Sequence, residues 1–119
     1  MISNERRGIV DVHTQKAEIL TNSPDREALE KTMSFIDGLL SEKDIKPTPV
    51  QYVVMMNHVN EMIKRSITQD RLPEFDLEMF ADVSEESLGM AMQVVECIGK
   101  LSEEEGYLLS IHFETAKNN

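Results

Sequence analysis

Cysteine is almost missing from this chain, and its scarcity excludes several kinds of site. Cys97 stands alone, so no intrachain disulfide can form and no cluster of thiolates can hold zinc or an iron–sulfur centre. We therefore expect a protein of the reducing cytoplasm. Because Cys97 lies in the largely apolar stretch 94–98, the sequence predicts a buried, inert thiol rather than a nucleophile.

Glycine-rich phosphate loops, internal repeats and long apolar runs are also missing from the sequence. The first absence excludes the common nucleotide-binding loops. The last leaves no segment with the length of a signal peptide core or a bilayer span. We expect a soluble, unexported protein without a membrane partner. Gly38 and Gly106 fall inside predicted helices, where glycine marks close packing or weakens the helix modestly.

Positive charge is scarce as well. Only 12 Lys and Arg residues stand against 22 Asp and Glu residues, which gives a formal net charge of -10. Such an excess repels the phosphate backbone, so direct binding to nucleic acid is not expected. A chain of 119 residues with 40% hydrophobic residues is long and apolar enough to bury one core. We predict a single folded domain.

Helix signals are frequent from Ser23 onward. Ser23 before Pro24 is a typical helix start, and the apolar spacing that follows predicts a first helix over residues 24–42. A capping box formed by Thr48 and Gln51 predicts a second helix over about 49–66.

Three further helices follow in the same way. A short one is expected within residues 68–83, a fourth opens at Ser84 and ends at Gly99, and a fifth follows a second capping box of Ser102 and Glu105. The sequence thus predicts an all-α, compact bundle of about five helices in a single domain over residues 23–119. Residues 1–22 carry mixed signals, and we leave them unassigned.

Two histidines lie on the apolar faces of the second and fifth predicted helices. Arg65 follows His58 by seven residues, and Glu105 precedes His112 by seven, so each charged group shares a face with its histidine. A neutral imidazole with one nitrogen held by an acceptor, such as Glu105 or a backbone carbonyl, is a good nucleophile toward a phosphoryl group. Arg65 is the nearest cation for the added charge. The pattern indicates a reversible phosphate acceptor.

Other interpretations of the histidines stay open. Both could be neutral core residues satisfied by a carbonyl or a carboxylate. A metal site would use the same residue types, but the helices carry no H-x-x-x-H or E-x-x-H pair, so we predict no metal and no cofactor. His13 lacks an apolar stripe and is expected to be exposed. No nucleophile, base and oxyanion donor can be assembled from the sequence, and we do not expect an enzyme.

The two histidine segments resemble those of a known family. His58–Arg65 (HVNEMIKR) is similar to the first histidine signature of the PTS regulation domain (PRD), found in bacterial antiterminators and activators controlled by the sugar phosphotransferase system. Glu105–Ala116 (EGYLLSIHFETA) looks like the closing helix of that family. The resemblance covers roughly residues 24–117 and implies a compact helical bundle, in agreement with the helix count.

The resemblance also implies a function. His58 and His112 would be phosphorylated by the phosphocarrier HPr or by a sugar-specific component of the phosphotransferase system, with Arg65 and Glu105 as supporting residues. The chain looks like a stand-alone PRD that forms a homodimer and acts through a partner such as a transcription regulator. The alternative is a helical dimerisation or scaffold protein whose histidines are structural.

Overall fold

The fold of the chain is all-α. A computed structural model describes residues 11–119 and places them in five α-helices and one short 3-10 helix. These elements are α1 (Val12–Asn22), α2 (Arg26–Glu42), α3 (Pro49–Thr68), the 3-10 helix η1 (Leu77–Phe80), α4 (Glu85–Ile98) and α5 (Glu103–Lys117). No strand forms within residues 11–119, and the predicted helical bundle is confirmed.

Helix α1 comes from the segment that the sequence left unassigned. Its N-terminus is capped by the side chain of Asp11, which accepts a hydrogen bond from the backbone N–H of His13. No α1 residue is fully buried, but Ile19 and Leu20 pack against the core beside α2 and α3. Residues 1–10 of the unassigned segment lie outside the described residues.

The start of α2 differs from the prediction. The helix begins at Arg26 rather than at residue 24, because the Asp25 carboxylate accepts the capping hydrogen bond from the backbone N–H of Ala28. The hydroxyl of Ser23 has a different role and donates to Oδ1 of Asn60 on α3 at 2.6 Å. Ser23 therefore ties the α1–α2 connection to α3 instead of capping α2.

The predicted capping box at the start of α3 is present. Thr48 Oγ1 accepts from the backbone N–H of Gln51, and Gln51 Oε1 accepts from the backbone N–H of Thr48. The helix runs two residues further than predicted and ends where Gln69 adopts a left-handed conformation. The short helix predicted within residues 68–83 is present as the 3-10 helix η1, which is capped by Asp76.

Helices α4 and α5 form an antiparallel hairpin with the most extensive helix contact of the fold. At one end, a Glu114 oxygen accepts hydrogen bonds from the hydroxyls of Ser84 and Ser87 at 2.8 and 2.7 Å. Further along, the hairpin closes tightly on Gly106, because a Cβ atom there would lie 2.5 Å from Sδ of Met92. Gly106 is thus a close-packing glycine.

The second capping box predicted from the sequence is wrong. Ser102 does precede the first residue of α5, but its side chain makes no capping hydrogen bond. The carboxylate of Glu105, which should complete the box, bonds to Arg65 of α3 instead. A tertiary ion pair has replaced a local hydrogen bond to the backbone.

The core lies where α2, α3, α4 and α5 meet. It is built from aliphatic side chains and methionines around one aromatic ring, Phe113, which is fully buried. Three of its methionines, Met55, Met62 and Met90, are at most 1% exposed, which agrees with the use of methionine to fill irregular space between helices. Among the described helices, none has both the length and the apolar character needed to cross a bilayer.

Candidate functional site

Helices α3 and α5 run antiparallel, and three contacts define their register. Gln51 Nε2 donates to Asn119 Oδ1 at one end, and Arg65 donates to Glu105 at the other. The rings of His58 and His112 meet between these two contacts. Successive contacts are seven residues apart along the chain. Within the helices this spacing of two turns keeps the residues on one face, and Asn119 lies just past the end of α5.

The two imidazole rings are direct neighbours. Their centroids lie 5.0 Å apart, and the ring planes are tilted by 44°. Both side chains are half-buried, with fully buried neighbours on each helix, Met55 and Met62 around His58 and Leu109 and Ala116 around His112. The seam between α3 and α5 therefore holds a pair of partly accessible histidines.

This environment keeps both rings neutral. Burial, and to a smaller extent the neighbouring His112 and the Arg65 guanidinium, lower the pKa of His58 to about 4. Burial also lowers the pKa of His112. Since the ordinary pKa of histidine is about 6.5, both imidazoles are uncharged at neutral pH and keep a nitrogen lone pair.

One ring nitrogen of the pair has an unusual position. Nε2 of His58 is buried from solvent and has no hydrogen-bond partner in the part of the chain that the structure describes. A buried polar atom without a partner costs free energy, about 1–3 kcal/mol. Such an atom marks a place where a further polar group would be stabilising.

Arg65 and Glu105 form a buried ion pair beside the histidines. Arg65 Nε and Nη2 donate to the two Glu105 oxygens at 2.7 and 2.9 Å. The Glu105 side chain is 1% exposed and that of Arg65 is 20% exposed. The sequence suggested Glu105 or a backbone carbonyl as the acceptor that holds an imidazole nitrogen, but Glu105 holds the guanidinium instead. The two predicted supporting residues thus support each other.

The remaining chemically interesting residues lie elsewhere. His13 is exposed on α1, as predicted. The prediction of a buried Cys97 is wrong, because Cys97 is exposed in the last turn of α4, beyond its last buried residue, Val94. Within residues 11–119, no three His, Cys, Asp or Glu side chains converge as a metal site would require.

The sequence proposed the four residues of this candidate site but not their contacts with one another. A signal for these contacts was present in the spacing. Arg65 follows His58 by seven positions, and Glu105 precedes His112 by seven. When two helices pack antiparallel with the histidines opposite each other, these spacings also place the arginine opposite the glutamate. The sequence alone does not show that α3 and α5 pack together.

One solved structure is similar to this chain over almost its whole length. It is a PRD-containing transcription regulator from Lactobacillus casei ATCC 334, 38% identical in sequence, with a TM-score of 0.85. The match covers 92% of this chain and 97% of that one. The chain belongs to the PRD family. No family model matches the sequence, and neither does any curated protein.

Family membership gives the register of α3 and α5 a clearer meaning. The two segments that resemble PRD histidine signatures, His58–Arg65 and Glu105–Ala116, lie on α3 and α5. They face each other along one seam of the PRD, histidine against histidine and arginine against glutamate. The two segments therefore form one candidate site rather than two.

Proposed function

We propose that this PRD is a phosphorylation-responsive regulatory module of the bacterial sugar phosphotransferase system, with His58 and His112 as phosphate acceptors. The observation that carries the proposal is the paired, half-buried and neutral state of the two imidazoles. A neutral imidazole has the lone pair that attacks phosphorus. A protonated one has none, and an imidazole on the open surface would gain no help from neighbouring groups.

Arg65 supplies hydrogen-bond donors that a phosphohistidine needs. A guanidinium has five N–H donors, and Arg65 uses two of them on Glu105. The others are available for phosphoryl oxygens, for which the planar guanidinium is well suited. Glu105 would act as a positioning residue that fixes the guanidinium two turns from His58.

The proposed phosphodonor is HPr or a sugar-specific component of the phosphotransferase system. Two large apolar side chains beside the histidines are exposed: Val54 at 49%, one turn before His58, and Ile111 at 44%, next to His112. Exposed apolar groups are typical of a surface that contacts another protein. Each of these two side chains lies close to one of the histidines along its helix and would offer a contact point to the phosphodonor.

The proposed output is a change in packing that a protein partner reads. A phosphoryl group adds a charge of about -1.5 to -2, here to a seam between helices that pack through apolar contacts. The seam, or a homodimer contact built next to it, must then adjust. The related protein from Lactobacillus casei is a transcription regulator, and we propose that this chain also acts on transcription, through a regulator partner rather than by binding nucleic acid.

Intact mass measurement tests the acceptor role directly. The protein would be incubated with phosphoenolpyruvate, enzyme I and HPr and kept alkaline, because phosphohistidine is labile in acid. We expect a phosphoryl adduct in the wild type and in His13→Gln, whose exposed histidine serves as the matched control. The double variant His58→Gln/His112→Gln should show no adduct. An unmodified wild type, or a modified double variant, would reject the proposal.

The burial of His58 Nε2 favours a second candidate, a helical dimerisation or scaffold protein in which the histidines are structural. The same experiment separates the two functions. A scaffold should remain unmodified when HPr itself becomes phosphorylated. For a scaffold, light scattering of the protein before and after the incubation should give the same molar mass. A module that responds to phosphate should change its association.

A further inference from the structure

We propose that the pair of His58 and His112 holds one phosphoryl group per chain, so that the two histidines are alternative acceptors of a single group. This inference rests on the proposed function and specifies how its site is occupied. The structural basis is the 5.0 Å separation of the ring centroids. If the two signatures formed distant sites, both histidines could be modified independently.

The first argument is electrostatic. Each phosphoryl group would carry a charge of about -1.5 to -2, and two of them on adjacent rings would lie only a few ångströms apart. Salt screens charges effectively beyond roughly 8–10 Å, so solvent ions offer little relief at this distance. Half-burial of both rings lowers the local dielectric further and strengthens the repulsion.

The second argument concerns the cation that serves the pair. Arg65 is bound by the 1% exposed Glu105 carboxylate, so the ion pair as a whole adds no net positive charge to the seam. Its free N–H groups can orient the oxygens of one phosphoryl group. They cannot neutralise the charge of two.

The third argument is the unpaired Nε2 of His58. This buried nitrogen has no partner among the described residues, and a phosphoryl group on the adjacent His112 would bring acceptor oxygens toward the same seam. A neutral imidazole donates a hydrogen bond from its protonated nitrogen. The unmodified ring can thus stabilise a phosphoryl group on its neighbour, a role that it would lose if it were modified itself.

The transfer step is the same for either histidine. The lone pair of the neutral imidazole forms a new N–P bond while the N–P bond of the donor phosphohistidine breaks, and the electron pair of the broken bond returns to the donor imidazole. The acceptor ring releases the proton of its other nitrogen, and the donor ring takes up one proton, so both rings end neutral. No oxidant, reductant or further co-reactant is needed. A phosphoryl group on one ring repels a second one and occupies the free N–H groups of Arg65, so a second transfer is disfavoured.

Counting the adducts on intact chains tests this inference. The wild type, His58→Gln and His112→Gln would be phosphorylated exhaustively with phosphoenolpyruvate, enzyme I and HPr, and their masses recorded under alkaline conditions. The modified fractions of the two single variants give the occupancy of each histidine alone. Their product is the doubly modified fraction expected for the wild type if the sites were independent. His58→Asn and His112→Asn repeat the measurement should a glutamine variant lose its circular dichroism signal.

We expect both single variants to be modified and the doubly modified wild type to fall at least tenfold below that product. A doubly modified fraction equal to the product would overturn the inference while leaving the proposed function intact. So would a result in which only one of the two histidines ever reacts. Complete absence of adducts from the wild type would reject the proposed function itself, and the inference with it.

Discussion

Arg65 of α3 and Glu105 of α5 form a two-pronged ion pair, with N–O distances of 2.7 and 2.9 Å. The pair lies two turns from the contact between His58 and His112, along the same seam. The carboxylate is almost completely removed from solvent at 1% exposure. A buried charge of this kind is tolerated only because its partner and hydrogen bonds are in place.

The two residues of this ion pair should be strongly coupled. Arg65→Met leaves an unpaired buried carboxylate and should lower the free energy of unfolding by about 3–5 kcal/mol. Glu105→Gln should cost less, because it leaves an uncharged amide beside a guanidinium that still reaches solvent. The double variant Arg65→Met/Glu105→Gln should recover part of the loss, which urea denaturation of the four proteins would measure. Strictly additive effects would contradict the coupling.

Stability should fall on mild acidification because of the histidine pair. The folded-state pKa of His58, about 4, lies below the unfolded value of about 6.5, so the unfolded chain binds more protons between these values. The free energy of unfolding therefore decreases as pH falls through that window, by about 1 kcal/mol for His58 between pH 7 and 5.5. The lowered pKa of His112 acts in the same direction.

Urea denaturation at several pH values measures this dependence. His58→Gln removes the titrating ring and should show a smaller loss between pH 7 and 5.5, a range in which most carboxylates remain ionised. The free energy of unfolding of the double variant His58→Gln/His112→Gln should fall even less over this range. An unchanged pH dependence in the double variant would assign the effect to other groups.

Two glycines inside helices should respond differently to alanine. Gly38 of α2 has open space around its missing Cβ, so Gly38→Ala should stabilise the protein by about 0.5–1 kcal/mol through helix propensity. At Gly106 the new methyl would meet the end of the flexible, partly exposed Met92 side chain, which must move and so costs part of that gain.

Thermal or urea unfolding of the two glycine variants gives the comparison. Gly106→Ala should be less stable than Gly38→Ala, and Met92→Ala should reduce the penalty at Gly106 because it removes the colliding Sδ and Cε atoms. Equal gains at both positions would show that the α4–α5 hairpin is looser than the structure indicates.

The thiol of Cys97 should react in the folded protein. Because the residue is exposed on α4, one thiol per chain should be titrated by a disulfide reagent without denaturant. A Cys97→Ser variant provides the zero-thiol control. A thiol that reacts only in urea would show that Cys97 is buried in the folded protein, as the sequence suggested.

Local signals made most of the helix boundaries predictable. The capping box of Thr48 and Gln51 gives the start of α3, and Gly99, with a φ of 83°, ends α4. These interactions join residues that are close in sequence, and residue type alone determines them. Helix α1 was not predicted because its apolar residues form only a weak stripe along the helix, and none of its residues is fully buried.

The two capping predictions that failed share one feature. The Ser23 hydroxyl donates to Asn60 and accepts from the backbone N–H of Asp25 without capping α2, and Glu105 bonds to Arg65 instead of completing a capping box with Ser102. In both cases the side chain binds a residue that is distant in sequence. Side chains with several possible partners are decided by tertiary packing.

The sequence by itself determined the helical class, most helix limits, and the four residues that belong to the candidate site, because periodicity and capping depend on neighbours along the chain. Only the tertiary structure decided that His58 meets His112 and that Arg65 meets Glu105. These contacts depend on α3 and α5 packing antiparallel in one register. That register is set when the apolar faces of the two helices are buried together in a shared core. The pattern of either helix alone does not specify how the two faces fit together.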